Sequence, residues 1–192
     1  MIRLAVLGST RGTNLTAIND AITRRKLDAE IEIVLSNKPD ALILERAREY
    51  RLRAQFMDSA GLSREEYDKR VSAALRSYDV QLLVLIGYMR ILSADFVREW
   101  QGKIINVHPS LLPAFAGKMD LDVHQAVLAA GVTETGCTVH YVTEEVDAGP
   151  ILLQKKCAVQ PGDSAESLKA RVQQLEGAAL TEAIGLLVKA AE

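Results

Sequence analysis

Cysteine is scarce in this chain of 192 residues, with only Cys137 and Cys157. They show no CxxC spacing, so neither a disulfide framework nor a zinc site is suggested. Long apolar runs are missing too. The longest, Leu82 to Met89 counting Gly87, falls far short of the ~20 residues a bilayer span needs. Near the N-terminus only Leu4 to Leu7 is apolar, behind Arg3. That is too short for a secretory signal, and the expected location is the cytoplasm. There is no basic excess: 23 Lys and Arg stand against 25 Asp and Glu, for a net charge of −2. Nucleic acid is therefore not expected as the main partner. Repeats, low-complexity tracts and linkers are absent, and proline and glycine are spread out. What is present is ordinary globular composition, 48% hydrophobic and 25% charged. A chain of this length buries roughly 70% of its unfolded surface, so a single domain over residues 1–192 needs no covalent staples.

Apolar periodicity then alternates. Arg3–Leu7, Glu30–Leu35, Ala54–Met57, Leu82–Ile86 and Lys103–Val107 read as strands. Between them lie helical patterns: Leu15, Ile18 and Ile22; Ala41 to Tyr50; a capping box at Ser63 and Glu66 leading to Arg76; and a short helix from Ser93 to Trp100. Such a rhythm predicts an α/β fold, a Rossmann-like and mainly parallel sheet with helices on both faces. The C-terminal part adds a helix over Val123–Ala130, strands over Thr138–Val142 and Ile151–Val159, and a long terminal helix capped by Asp163 with Glu166. Ligands of such sheets bind beyond the carboxyl ends of the strands. Attention therefore falls on Gly8–Asn14, Gly87–Leu92 and Asn106–Gly117.

Gly8–Asn14 joins a strand to a helix, with Thr13 or Asn14 as the expected N-cap. It lacks the Walker A and GxGxxG spacings, yet a glycine before a helix N-terminus suits a phosphate. Asn106 and His108 stand two apart at a strand end, so they share a face. An amide beside an imidazole can stabilise an oxyanion and move a proton. Pro109 and Pro113 stiffen the loop beyond His108. Asp147 lies in the turn Glu145–Pro150, as a plain turn residue or as a carboxylate that lifts the pKa of His108. His140 in its strand has a structural role at least as readily as a site role, and His124 is expected at the surface or as a cap. No GxSxG elbow is present, which favours direct attack over a covalent enzyme intermediate.

The strings Val34–Lys38, Gly87–Ser93, Asn106–Pro113, Gly136–His140 and Val146–Pro150 occur in one order. With them the chain resembles the folate-dependent phosphoribosylglycinamide formyltransferases from about Met1 to Ile184. The resemblance implies formyl transfer from 10-formyltetrahydrofolate, as co-substrate, to the amine of glycinamide ribonucleotide, with no metal and small molecules as the only substrates. It implies that Asn106, His108 and Asp147 are catalytic. It assigns Gly12, Thr13, Asn14 and Glu176 to the ribonucleotide, and Arg64, Met89, Arg90, Ile91, Leu92 and Asn106 to the folate. A monomer or homodimer is expected. The extra domains of methionyl-tRNA formyltransferases and formyltetrahydrofolate deformylases are not expected, given where the chain starts and stops. A formyltetrahydrofolate hydrolase and a non-catalytic folate- or nucleotide-binding module are the alternatives. Thr10 and Arg11 depart from the family's usual Gly-Asn pair, and Ala116–His124 is longer than its usual pattern.

Overall fold

The computed structural model describes residues 1–191. Its strands are β1 (Ile2–Gly8), β2 (Ala29–Ser36), β3 (Ala54–Phe56), β4 (Leu82–Ile86), β5 (Ile104–His108), β6 (Glu134–Tyr141) and β7 (Ile151–Ala158). Its helices are α1 (Thr13–Thr23), α2 (Leu42–Glu49), α3 (Arg64–Arg76), α4 (Ala94–Glu99), α5 (Leu121–Ala129) and α6 (Ala165–Ala190). The strands form one sheet in the order β3-β2-β1-β4-β5-β6-β7. The pairs from β3 to β5 are parallel, whereas β6 and β7 run antiparallel. The α/β architecture read from the periodicity is the one observed.

Alternation along the strands divides the core. Leu4 and Val6 of β1 and Val84 of β4 face Leu15, Ile18, Ile43, Leu44 and the Leu168, Val172 and Ile184 stripe of α6. Ala5, Leu7, Leu83 and Leu85 face the other way, toward Tyr67, Val71 and Leu75 of α3 and Phe96 beside Trp100. Strands buried on both faces read as continuous apolar runs, as Leu82–Ile86 does. The order of connections reverses between β1 and β4, where β2 lies to one side and β4 to the other. Ligands of doubly wound sheets bind in the crevice outside the carboxyl ends of the strands at such a reversal, where residues 9–14 and 87–92 lie here.

In α2, Ile43, Leu44 and Ala47 are buried and Leu42 is exposed. Two local readings need correction. β6 begins at Glu134, well before Thr138, because β7 pairs with it from its first residue. The cap of α6 is Ser164, whose hydroxyl accepts from the Ser167 amide at 3.1 Å while its own amide donates to the Ser167 hydroxyl at 3.0 Å. Asp163 is instead claimed by Arg171, at 2.6 and 2.9 Å, and by the Gln160 amide.

Candidate active site

β5 delivers Asn106 and His108 on one face, and antiparallel pairing sets His140 and Thr138 of β6 directly opposite them. Asn106 Nδ2 consequently lies 3.3 Å from His140 Nε2. Asp147 enters from the turn after β6, on backbone with a φ of 55°. Its Oδ2 is 3.3 Å from His108 Nδ1, and its Oδ1 is 3.7 Å from His140 Nε2. The Gly117 amide donates to the same Oδ2 at 2.8 Å. The three residues singled out for chemistry thus meet, and His140 joins them.

Hydrogen-bond accounting fixes much of the protonation. His140 Nδ1 lies 2.9 Å from the Tyr141 carbonyl, which can only accept, so Nδ1 carries a proton. With that tautomer Nε2 is the acceptor for the Asn106 amide, leaving the second N–H of that amide for a ligand. His108 has acceptors at both nitrogens, with the Phe115 carbonyl 3.1 Å from Nε2 and Asp147 at Nδ1. A neutral imidazole can satisfy one of them and an imidazolium both. Burial nevertheless dominates: the residue is 4% exposed, and desolvation holds its pKa below the ordinary histidine value. Asp147 and the Phe115 carbonyl pull upward with less effect, and His140 adds to the lowering. The expectation that Asp147 lifts His108 above its ordinary value is corrected on that ground.

At the β1 end, Gly12 is the N-cap of α1, in the left-handed region at φ 65° and ψ 32°, with no side-chain cap. Thr13 and Asn14 are not caps but the first two helical residues. The first turn holds no acidic residue, so its free amides and the helix dipole favour an anion. A Cβ at Gly12 would stand 2.3 Å from Ile43 Cγ1. This glycine is therefore required by the turn and by α2, rather than by close approach of a ligand. Asn14 is 7% exposed, and its amide donates to Glu176 Oε2 at 2.8 Å, which brings α6 to the same place. Burial pushes the Glu176 carboxyl above the usual range, against the Asn14 bond. The Arg11 side chain is exposed, while its carbonyl accepts from Arg46 Nε at 2.8 Å.

The segment 87–92 is tied to the β1 loop by Ser9. Its amide donates to the Gly87 carbonyl at 3.1 Å, and its hydroxyl accepts from the Met89 amide at 2.9 Å. Side chains alternate along the segment. Met89 and Ile91 are exposed, Leu92 packs beneath, and Tyr88 is buried. Arg90 folds back with its guanidinium 4.3 Å from the centre of the Tyr67 ring, so only its main chain is offered outward. Arg64 opens α3 with its side chain exposed.

Two histidines depart from the sequence reading. His140 is a member of the cluster, and only the pairing register reveals it. His124 is not a surface residue. It is 2% exposed, with its pKa lowered first by burial and then by the Lys169 charge. The long 116–124 stretch caps α5 at Asp120, whose carboxylate pairs with Lys169 of α6. Among the described residues no group of three or more His, Cys, Asp or Glu is placed to hold a metal. None of the described helices is long and apolar enough to cross a membrane.

A family model described as formyl transferase matches residues 2–184. The phosphoribosylglycinamide formyltransferase of Escherichia coli K12 is 43% identical over 178 residues, covering 92% of this chain and 82% of that protein. The trifunctional purine biosynthetic protein adenosine-3 of Gallus gallus is 43% identical over 191 residues, which is 99% of this chain but 19% of its own length. The chain thus spans less than a fifth of each trifunctional relative it matches. The crystal structure of glycinamide ribonucleotide transformylase 1 from Symbiobacterium toebii superposes with a TM-score of 0.94 at 41% identity, covering 99% of this chain and 89% of that one. With motif order, fold and nearly the whole length in agreement, the chain belongs to the formyl transferase family.

Proposed function

We propose that this chain, as a single formyltransferase domain, transfers a formyl group from 10-formyltetrahydrofolate to the amine of glycinamide ribonucleotide in purine biosynthesis. The observation that carries this reading is the meeting of Asn106, His108 and Asp147 beside a crevice whose other wall is the uncapped N-terminus of α1. The E. coli and S. toebii relatives are named for this reaction or its enzyme. Amides of Gly12, Thr13 and Asn14 receive the ribonucleotide phosphate, and Glu176 approaches the amine side. The main chain of 89–92, with the exposed Met89 and Ile91 side chains, receives the flat pterin, and Arg64 meets the glutamate carboxylates. All these residues belong to one chain, so a monomer or a homodimer carries the complete site. Free Cys137 and Cys157 suit a reducing, cytoplasmic setting.

The chemistry rests on the protonation of the two histidines. The amine nitrogen bonds to the formyl carbon, and charge moves onto the formyl oxygen. The free N–H of Asn106 donates to that oxygen. A neutral His108 takes the proton the amine must shed, and Asp147 stabilises the imidazolium so formed. Because burial holds its pKa below the ordinary value, that imidazolium is a better proton donor than an exposed one. It returns the proton to the folate nitrogen as the C–N bond breaks. Tetrahydrofolate and the formylated ribonucleotide result, with no net proton consumed inside the site.

The test is incubation with 10-formyltetrahydrofolate, with and without glycinamide ribonucleotide, following both the folate product and formate. Turnover is expected only with the ribonucleotide, and without formate. Full-rate formate release in its absence would establish the hydrolase instead, and no turnover in either arm the non-catalytic module.

A further inference from the structure

The segment that faces the folate in this reading is held from behind by a buried acid. Asp68 of α3 is 1% exposed, and its Oδ2 accepts the Ser93 amide at 2.6 Å. That amide closes the 87–92 segment and opens α4, whose own cap is the Ser93 hydroxyl, accepting from Phe96 N at 3.3 Å. Ser9 ties down the start of the segment, and Asp68 its end.

Between these two ties the side chains alternate, and Arg90 is the inward one that carries charge. Its guanidinium lies against Tyr67, the α3 residue next to Asp68. Asp68 Oδ1 and Arg90 Nε are both buried without a hydrogen-bond partner. One is an acceptor and the other a donor, behind the same segment, each within the electrostatic reach of the other. A buried carboxylate is costly to retain unless its charge is used. Here it serves a main-chain amide, and its charge attracts the cationic side chain that Tyr67 stacks inward. With Arg90 inward, its neighbours Met89 and Ile91 face outward. Were Arg90 released, the alternation that presents them would be lost.

We propose that Asp68 is a positioning residue for the folate co-substrate: through the Ser93 amide and the inward Arg90 it sets the shape of the 87–93 segment. This rests on the functional reading above. Asp68 touches no substrate, and its bond to the Ser93 amide lies at the end of the segment away from the Ser9 joint that reaches the ribonucleotide side.

The experiment compares wild type with Asp68→Ala and Asp68→Asn. The KM for each substrate is measured with the other saturating, alongside hydrogen exchange of the 87–93 amides. In Asp68→Ala the folate KM is expected to rise by roughly tenfold, the scale of one hydrogen bond to a buried charged group. The ribonucleotide KM should stay within about twofold and kcat should change little. Asp68→Asn, which keeps an oxygen for Ser93, should lie between. The Ser93 amide should lose protection in both variants, most in Asp68→Ala. If Asp68→Ala fails to fold, Asp68→Asn carries the same comparison. Equal rises in both KM values, or an unchanged folate KM with intact fold, would overturn the proposal. A wild type that neither binds nor turns over the folate would overturn the functional reading first, and this inference with it.

Discussion

His108 is where two residue-scale forces compete. Its ring is buried between Asp147 and the Phe115 carbonyl, and burial decides the resting charge. Below its lowered pKa the ring is protonated and unable to take the amine's proton. The rate should therefore fall as pH drops through that value, which lies below the ordinary ~6.5. Asp147→Asn removes the larger of the two influences that raise the pKa and leaves only the Phe115 carbonyl to oppose burial. The acid limb should then move to lower pH, while the plateau falls by roughly 10²–10⁴ because the imidazolium loses its counter-charge. Paired pH–rate profiles and histidine NMR titrations measure both effects. An acid limb that moves upward, or a His108 pKa that does not move, would remove Asp147 from this role.

Elements set where these residues stand. The turn from Thr143 to Pro150 carries Asp147, and it is pressed against the end of β6. A Cβ at Gly149 would lie 1.8 Å from the Tyr141 carbonyl oxygen, an impossible contact with main chain. Gly149→Ala must push this turn outward and draw Asp147 away from His108. A loss of kcat of roughly 10²-fold is expected, the cost of about 1 Å of misplacement. Thermal stability should fall only modestly, because the turn lies outside the two apolar cores. Unchanged kcat in the folded variant would show that the turn is not held there by the glycine. Much of this element level is legible in the sequence. Strands buried on both faces leave continuous apolar runs, and Ser63 with Glu66 forms the capping box it spells. The Asn106–Pro113 string marks its own strand end. What stays hidden depends on pairing across elements. His140 enters the site only through its register with Asn106, and the burial of His124 on α5, near Lys169 of α6, is likewise a matter of packing between elements. Asp163 looks like the cap of α6 in the sequence, but Arg171, two helical turns away, claims its carboxylate.

Across the whole molecule the crevice at the β1/β4 reversal has two walls, one from each strand's exit loop. Ser9 is their joint. Its amide reaches the Gly87 carbonyl, and its hydroxyl both accepts from Met89 and donates to Asn37 Oδ1 at 2.6 Å. A ligand that orders the 9–14 loop therefore orders the 87–92 segment through the bonds to Gly87 and Met89. Coupling of this kind must be reciprocal: the factor by which the ribonucleotide tightens the folate equals the factor by which the folate tightens the ribonucleotide. A tightening of about 5-fold, the low end for coupled sites, is expected in wild type. Ser9→Ala keeps the amide bond to Gly87 but strips the hydroxyl from Met89, and that factor should fall toward one. Each affinity measured alone should change far less. Titration calorimetry of each ligand, with and without saturating tetrahydrofolate or ribonucleotide, supplies all four affinities for each protein. Unequal factors within one protein would expose an error in the measurement. Equal factors that survive in Ser9→Ala would mean the two walls communicate by another route, through Thr10, whose side chain lies against Gly87.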